Sequence, residues 1–254
     1  MRISNNTLFI GKVLKVFDAL PSTNLLADQL LGEDTVAEGT LLLTHDQYAG
    51  KGQATNKWES EARKNLTFSV ILLPKFLSAR KQFLLNQVVS LSVFDTLKGY
   101  IKEGVSIKWP NDIYVFDKKI TGILIQNSLR GSTLQSSIVG IGLNVNQKQF
   151  ISDAPNPTSM ALEMGVNLDL EEVLSKFCQH LESNYLQLKA GQTEQIQQRY
   201  LDSLFRFGKT HSYRRVDGTI FKGAIKGITE IGKLIMKTEV GIEEFAFKEV
   251  KYIL

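Results

Sequence analysis

Lys108-Trp109-Pro110-Asn111-Asp112 lies between two short β-rich runs, 104–107 and 113–116, and it restricts the fold more than any other stretch. Proline cannot donate to a sheet ladder and pushes its predecessor into extended geometry, so a proline flanked by strands marks a sharp corner. A cation, an amide and a carboxylate are thus held by the sheet and aimed at one place. A solvated turn has the same composition. Against that plainer reading stands a second unusual segment, Gln47 to Trp58, because the only two tryptophans of the chain fall in these two segments.

The text on either side of the corner alternates strands and helices. Residues 12–20 read as a strand broken by Pro21, after which Ser22 or Thr23 caps a short helix ending at Gly32. Residues 39–46 read as a strand, and 48–64 as a polar, glycine-bearing loop of a length that is usually functional or disordered. Residues 66–73 form a buried strand, and Leu84, Val88, Leu91, Phe94 and Leu97 recur at helical spacing within an amphipathic helix over 80–100. Strands follow at 105–109, 113–116 and 119–126, the last two joined by a hairpin turn around Asp117-Lys118. A further strand covers 134–145, and helices cover 159–164, 170–188 and 193–204. From Phe207 onward, short strands are punctuated by Gly208, Gly218, Gly223, Gly227, Gly232 and Gly241. Such a tail is a small β-barrel, too small to bury much core alone and therefore docked on the larger domain.

A chain of 254 residues with 43% hydrophobic content can build a sizeable core without disulfides or metals. The one cysteine, Cys178, lies in a helical pattern and reads as a small core hydrophobe; a lone cysteine points to a reducing compartment. No apolar run reaches the length of a membrane span, and residues 1–12 lack a leader's apolar region, so a cytoplasmic protein is expected. The net charge of +4 is spread thinly, which favours a solubilising surface over nucleic-acid binding. No helix-turn-helix pattern fits before the first strand. His45, His180 and His211 lie far apart, without the neighbours of a zinc site, so no protein-built metal site is expected.

Four further segments carry polar groups where a plain scaffold has no need of them. Ser22-Thr23-Asn24 is by default a helix cap, yet two hydroxyls and an amide also serve a polar cyclic ligand. Gly50-Lys51-Gly52 is an ordinary loop or a wrap for phosphate or carboxylate. Gly140-Ile141-Gly142-Leu143-Asn144 and Lys119-Ile120-Thr121-Gly122-Ile123-Leu124 read as strands whose glycines admit a ligand or another backbone.

Together with Lys108–Asp112, in this order and spacing, the four resemble the catalytic domain of biotin protein ligases, and the resemblance runs from about Phe17 into the terminal barrel. It implies an α+β fold: a mixed sheet with helices, class II synthetase-like, over residues 1–205, and an SH3-like β-barrel over 206–254. It implies that biotin and ATP give biotinyl-5′-adenylate and pyrophosphate, and that biotin then passes to a lysine on the carrier domain of a biotin-dependent carboxylase. The resemblance further implies that Mg2+ accompanies the nucleotide and that the enzyme is a monomer or homodimer, and the chain resembles the monofunctional kind without an N-terminal DNA-binding domain. Lys108 and Lys119 compete for the role of cation between the biotin carboxylate and the α-phosphate, and spacing does not choose between them. The family lysine opens the K-x-x-G-I-L strand, which is Lys119 in this chain. By the same resemblance, Ser22, Thr23, Asn24 and Gln47 hold the ureido end of biotin, while Lys51, Gly52 and Gln53 lie over the carboxylate and phosphates. Gly50, Lys51, Trp58, Asn111, Asp112 and Asn144 are the nucleotide-side residues. The chain departs from the family at Lys51 and Gln53, where arginine is usual, and at Gln126, where an acid is common; lysine lacks arginine's bidentate fork. The rival readings are a lipoate or octanoate acyltransferase, whose glycine- and histidine-bearing signature is missing, and a biotin sensor without catalysis, which has no need of Lys119.

Overall fold

The computed structural model describes residues 6–33, 36–52, 56–152 and 156–254. Seven strands build the first sheet: β1 Leu14–Leu20, β2 Leu41–Gln47, β3 Leu66–Leu72, β4 Val105–Lys108, β5 Asp112–Val115, β6 Lys118–Arg130 and β7 Thr133–Leu143. They lie side by side in the order β1-β2-β3-β7-β6-β5-β4. The β1–β2 pair is parallel and every other pair in this sheet is antiparallel, which makes it mixed. Five helices accompany it: α1 Thr23–Glu33, α2 Phe83–Lys98, α3 Met160–Met164, α4 Leu170–Lys189 and α5 Thr193–Asp202.

Side chains alternate across a strand, so the central strands are divided between two faces. Leu66, Phe68, Val70 and Leu72 of β3, with Val139, Ile141 and Leu143 of β7, belong to one core with Val88 of α2 and Phe177 of α4. The opposite face buries Leu42, Ile71 and Ile138 against Ala27 of α1. Only one end of that face is covered by α1, and the remainder is floored by glycines and hydroxyls.

Two boundaries differ from the sequence pattern by three residues or more. The helix expected from residue 80 starts at Phe83, because Ala79 N–H bonds to Ser132 O and Leu77 O accepts from Leu134 N–H. Those bonds tie the chain to the β6–β7 hairpin and force a separate turn before α2. Strand β6 continues to Arg130 because residues 127–130 pair with 133–137, an exposed arm with no apolar pattern to reveal it.

The second sheet comprises β8 Thr210–Arg215, β9 Ile220–Ile228, β10 Leu234–Thr238, β11 Gly241–Phe245 and β12 Val250–Tyr252, antiparallel in the order β11-β10-β9-β8-β12. It meets the first at the proline corner. Trp109 Nε1 donates to Gly232 O at 2.9 Å, and its ring lies 5.2 Å from Phe247. Trp109 is therefore an anchor between sheets and not part of a polar site.

Candidate active site

The uncovered part of the α1-side face is the floor of a cavity of about 600 Å³. Cross-strand register explains it. Thr67, Gly142, Gly122 and Asp112 pair into one row across β3, β7, β6 and β5, and Ser69, Gly140 and Leu124 form the next. Glycines leave this surface bare, so other side chains rest directly on backbone. A Cβ at Gly140 would strike Asn24 Oδ1, and one at Gly122 or Gly142 would strike the Trp58 indole.

One end of the cavity is a closed network of hydroxyls and amides. Ser22 O accepts the N–H of Leu26, 3.2 Å away, and so starts α1. Thr23 N–H donates to Gln47 Oε1 at 2.9 Å, and Thr23 Oγ1 lies 3.3 Å from the same oxygen. Asn24 Nδ2 donates to Gln126 Oε1 at 2.8 Å and to Leu124 O at 3.3 Å. Beneath them, Ser69 Oγ approaches Thr23 Oγ1 to 2.7 Å and Asn24 Oδ1 to 2.6 Å. Ser22, Thr23, Asn24 and Ser69 are all buried, so their geometry is fixed before any ligand arrives.

The other end is charged. Lys119 Nζ pairs with Asp112 Oδ1 at 2.7 Å and stands 5.7 Å from the Trp58 ring. Simple alternation would put Lys119 on the core face with Thr121 and Ile123. The β5–β6 register shifts between Ile113 and Tyr114, so Tyr114 faces Lys119 and Ile120 goes into the core. This bulge turns Lys119 into the cavity, a role that bulges often play. Lys108 also lines the cavity, but its ammonium is engaged: it donates to Tyr114 OH at 2.9 Å and lies 4.5 and 5.1 Å from the Tyr114 and Tyr252 rings. Burial pushes its ammonium below the usual range; Asp112 opposes this, while Lys119 and Arg206 add to it. Burial likewise raises the Tyr114 phenol far above its ordinary value.

The described residues of the loop, 48–52 and 56–64, form the third wall. Gly52 N–H bonds to Asn56 O at 2.8 Å and Trp58 N–H to Gly50 O at 3.0 Å. Glu59 accepts from Ile151 N–H, Ser152 N–H and Gln147 Nε2 at 3.0, 2.8 and 3.1 Å, clasping this loop to the segment after β7. Burial alone would raise the Glu59 carboxyl; the hydrogen bonds from Ser152, Ile151 and Gln147 outweigh it and hold the group below the ordinary carboxylate range. Two buried polar atoms of the lining, Trp58 Nε1 and Asn144 Oδ1, have no hydrogen-bond partner.

Most of the residues singled out by sequence meet here. Ser22, Thr23, Asn24, Gln47, Lys51, Gly52, Trp58, Asn111, Asp112, Lys119 and Asn144 line the cavity. Asn111 is tied through Nδ2 to Ile123 O, and Asn144 through Nδ2 to Thr158 O at 2.9 Å. Gly50 lies behind the lining, where a Cβ would strike the Trp58 carbonyl at 2.6 Å, so it is the close-packed base of the loop. Gln53 lies outside the described residues. Sequence reasoning missed Ser69, Glu59 and Tyr114. The signal for Ser69 was present: in Leu66-Thr67-Phe68-Ser69-Val70 the hydroxyls recur with period two inside an apolar strand.

A mixed α+β sheet with a preset polar cluster, a glycine floor and a lysine facing a carboxylate is the frame of an acid-activating ligase domain. The chain belongs to the Biotin/lipoate A/B protein ligase family, whose pattern matches residues 16–144. It is 27% identical over 215 residues to the biotin--[acetyl-CoA-carboxylase] ligase of Paracoccus denitrificans, covering 82% of this chain and 88% of that one. It is 28% identical over 256 residues to the bifunctional ligase/repressor BirA of Bacillus subtilis, covering 99% of this chain and 77% of that one. The structure of biotin protein ligase from Aquifex aeolicus in complex with biotin and ATP superposes with a TM-score of 0.78 at 28% identity, over 95% of this chain and all of that one. The α+β fold and the resemblance to biotin protein ligases expected from the motifs are both met.

Proposed function

We propose that this chain is a biotin protein ligase. A biotin carboxylate oxygen attacks the α-phosphorus of ATP, the α–β phosphoanhydride bond breaks, and pyrophosphate leaves. The ε-amine of a lysine on the biotin carrier domain of a carboxylase then attacks the acyl carbon of biotinyl-5′-AMP, and AMP leaves. The mixed anhydride is itself the activated acyl donor, so no protein nucleophile is needed. The observation that carries this reading is the single cavity that joins a rigid hydroxyl–amide cluster to Lys119.

Two anions that must approach in a desolvated site repel strongly, and a fixed ammonium between them offsets that repulsion and the charge developing on the α-phosphoryl oxygens. Lys119 takes this role. Ser22, Thr23, Asn24 and Gln47 hold the ureido ring, and Lys51 and Gly52 close over carboxylate and phosphates. Lys51, Trp58, Asn111, Asp112 and Asn144 serve the nucleotide, with Gly50 packed behind them as the base of the loop. Mg2+ enters with the ATP phosphates, and the Asp112 carboxylate and the unpartnered Asn144 Oδ1 are oxygens of the kind a hard cation accepts. Residues 1–205 form the catalytic domain and 206–254 an SH3-like domain. Among the described residues no helix is long and apolar enough to cross a membrane; we place the enzyme in the cytoplasm, as a monomer or homodimer, away from nucleic acid.

The test is transfer of labelled biotin to a biotin carrier domain by the purified protein, with ATP and Mg2+ supplied or withheld. Label on the carrier only in the presence of both is the expected result. Efficient transfer of lipoate or octanoate with biotin inert would overturn the proposal.

A further inference from the structure

We infer that Ser69, which touches no ligand in the reading above, fixes the direction of the Thr23 hydroxyl and makes it an acceptor for a ligand N–H. The identity of that ligand, a cyclic urea, rests on the proposed function. Ser69 is fully buried in β3, below the polar end of the cavity.

The argument follows the protons. A serine hydroxyl has one, and Ser69 Oγ has two close oxygen neighbours, Asn24 Oδ1 at 2.6 Å and Thr23 Oγ1 at 2.7 Å. The Asn24 amide cannot be turned around, because its Nδ2 faces Leu124 O, which only accepts. Asn24 Oδ1 therefore needs a donor, and leaving a buried acceptor unmet carries its full desolvation penalty. The Ser69 proton goes to Asn24. Two oxygens left 2.7 Å apart need a proton between them, and Thr23 supplies it in preference to its longer, 3.3 Å approach to Gln47 Oε1. The Thr23 proton thus stays inside the network, and the lone pairs of Oγ1 are what the cavity is offered. A ring N–H satisfies them, whereas a ring oxygen or a substituted nitrogen does not. Ser69 is thus a positioning residue for specificity, acting through Thr23.

The experiment is calorimetric titration of the full chain with biotin, alongside steady-state kinetics and thermal unfolding, for wild type, Ser69→Ala, Thr23→Val and the double variant. Releasing the network's proton order should weaken biotin binding about tenfold in Ser69→Ala, the scale of one buried hydrogen bond. The KM for biotin should rise while kcat and the KM for ATP hold. Thr23→Val should weaken binding by a similar factor, and adding Ser69→Ala to it should cost less than about threefold more, because coupled residues share one effect. Ser69→Cys, which keeps side-chain shape with a weaker donor, should fall between wild type and Ser69→Ala, and it carries the comparison if the alanine variant does not fold. Lower thermal stability with unchanged biotin affinity in Ser69→Ala would overturn the inference, and so would penalties that multiply in the double variant. A wild-type protein that does not bind biotin would instead overturn the ligase reading and this inference with it.

Discussion

At the scale of single residues, two lysines near one cavity have opposite environments. Lys108 is packed against Tyr114 and Tyr252, with its ammonium turned to a phenol oxygen. Lys119 faces the cavity, and its side chain is 24% exposed, enough for an incoming anion to displace Asp112. In the proposed reaction Lys119 is the lysine assigned to the place between carboxylate and α-phosphate, because Lys108 is already held by Tyr114. Lys119→Gln should lower adenylate formation on the order of 10²–10³-fold, the scale of one preorganised donor, with circular dichroism unchanged. Lys108→Gln should lower it far less. The readout is biotin-dependent pyrophosphate release, and a Lys119→Gln enzyme working near the wild-type rate would exclude it as the cation. The cavity floor offers a second residue-scale test. Gly142→Ala puts a methyl where the Trp58 indole lies, and overpacking of this kind typically costs about 1–3 kcal/mol. Trp58 must then leave its seat, so its fluorescence should shift to the red and the KM for biotin should rise.

At the scale of elements, the loop carrying Trp58 is tied to the segment after β7 by several hydrogen bonds, and among the described residues its one carboxylate tie is Glu59, which accepts two backbone N–H groups. Its folded pKa is depressed, so its contribution is fully present above the ordinary glutamate range and is lost as pH falls through the lower folded value. Glu59→Gln should speed amide exchange at Ile151 and Ser152 near neutral pH. The gap between variant and wild type should close as the solution becomes acidic, and a gap that is the same at every pH would exclude the charge as the cause. The limits of sequence reading also lie at this scale. Strand and helix placement, the glycine floor and the polar residues of α1 were legible, because each follows from local pattern or residue type. The aim of Lys119 was not, since it depends on a bulge that appears only when β5 and β6 pair. The role of Ser69 was hidden, although its period-two signal was not, because its partners Thr23 and Asn24 lie 46 and 45 residues away. Gly50 carries the same lesson from the other side: a loop glycine that looks like a phosphate contact packs behind the wall.

At the scale of the molecule, the two sheets meet through aromatic rings around the proline corner. Phe83 of α2 packs edge-on against Tyr200 of α5, with ring centroids 5.9 Å apart, and lies 6.4 Å from Phe247 of the second sheet's unit. Gly232 takes φ +94° where a Cβ would strike the Phe83 ring, so glycine is required there on both counts. Trp109 closes the group with its hydrogen bond to Gly232 O. The corner therefore has two jobs within five residues: Trp109 faces the second sheet, and Asn111 and Asp112 face the cavity. Trp109→Ala should destabilise the protein by about 3–5 kcal/mol, the usual cost of emptying a buried large aromatic site. Trp109→Phe keeps most of the volume but leaves the Gly232 carbonyl unmet, for about 1–3 kcal/mol. Urea unfolding followed by far-ultraviolet circular dichroism and by tyrosine fluorescence measures both. The two signals should coincide in the wild type and separate in Trp109→Ala, as the small sheet loses its seat before the large one melts. Because the corner residues Asn111 and Asp112 lose their support at the same time, the KM for ATP should rise in Trp109→Ala more than the KM for biotin, whose cluster is anchored at the far end by α1. Coincident transitions at the wild-type midpoint in Trp109→Ala would show that the second sheet is held by other contacts and that the corner serves the cavity alone.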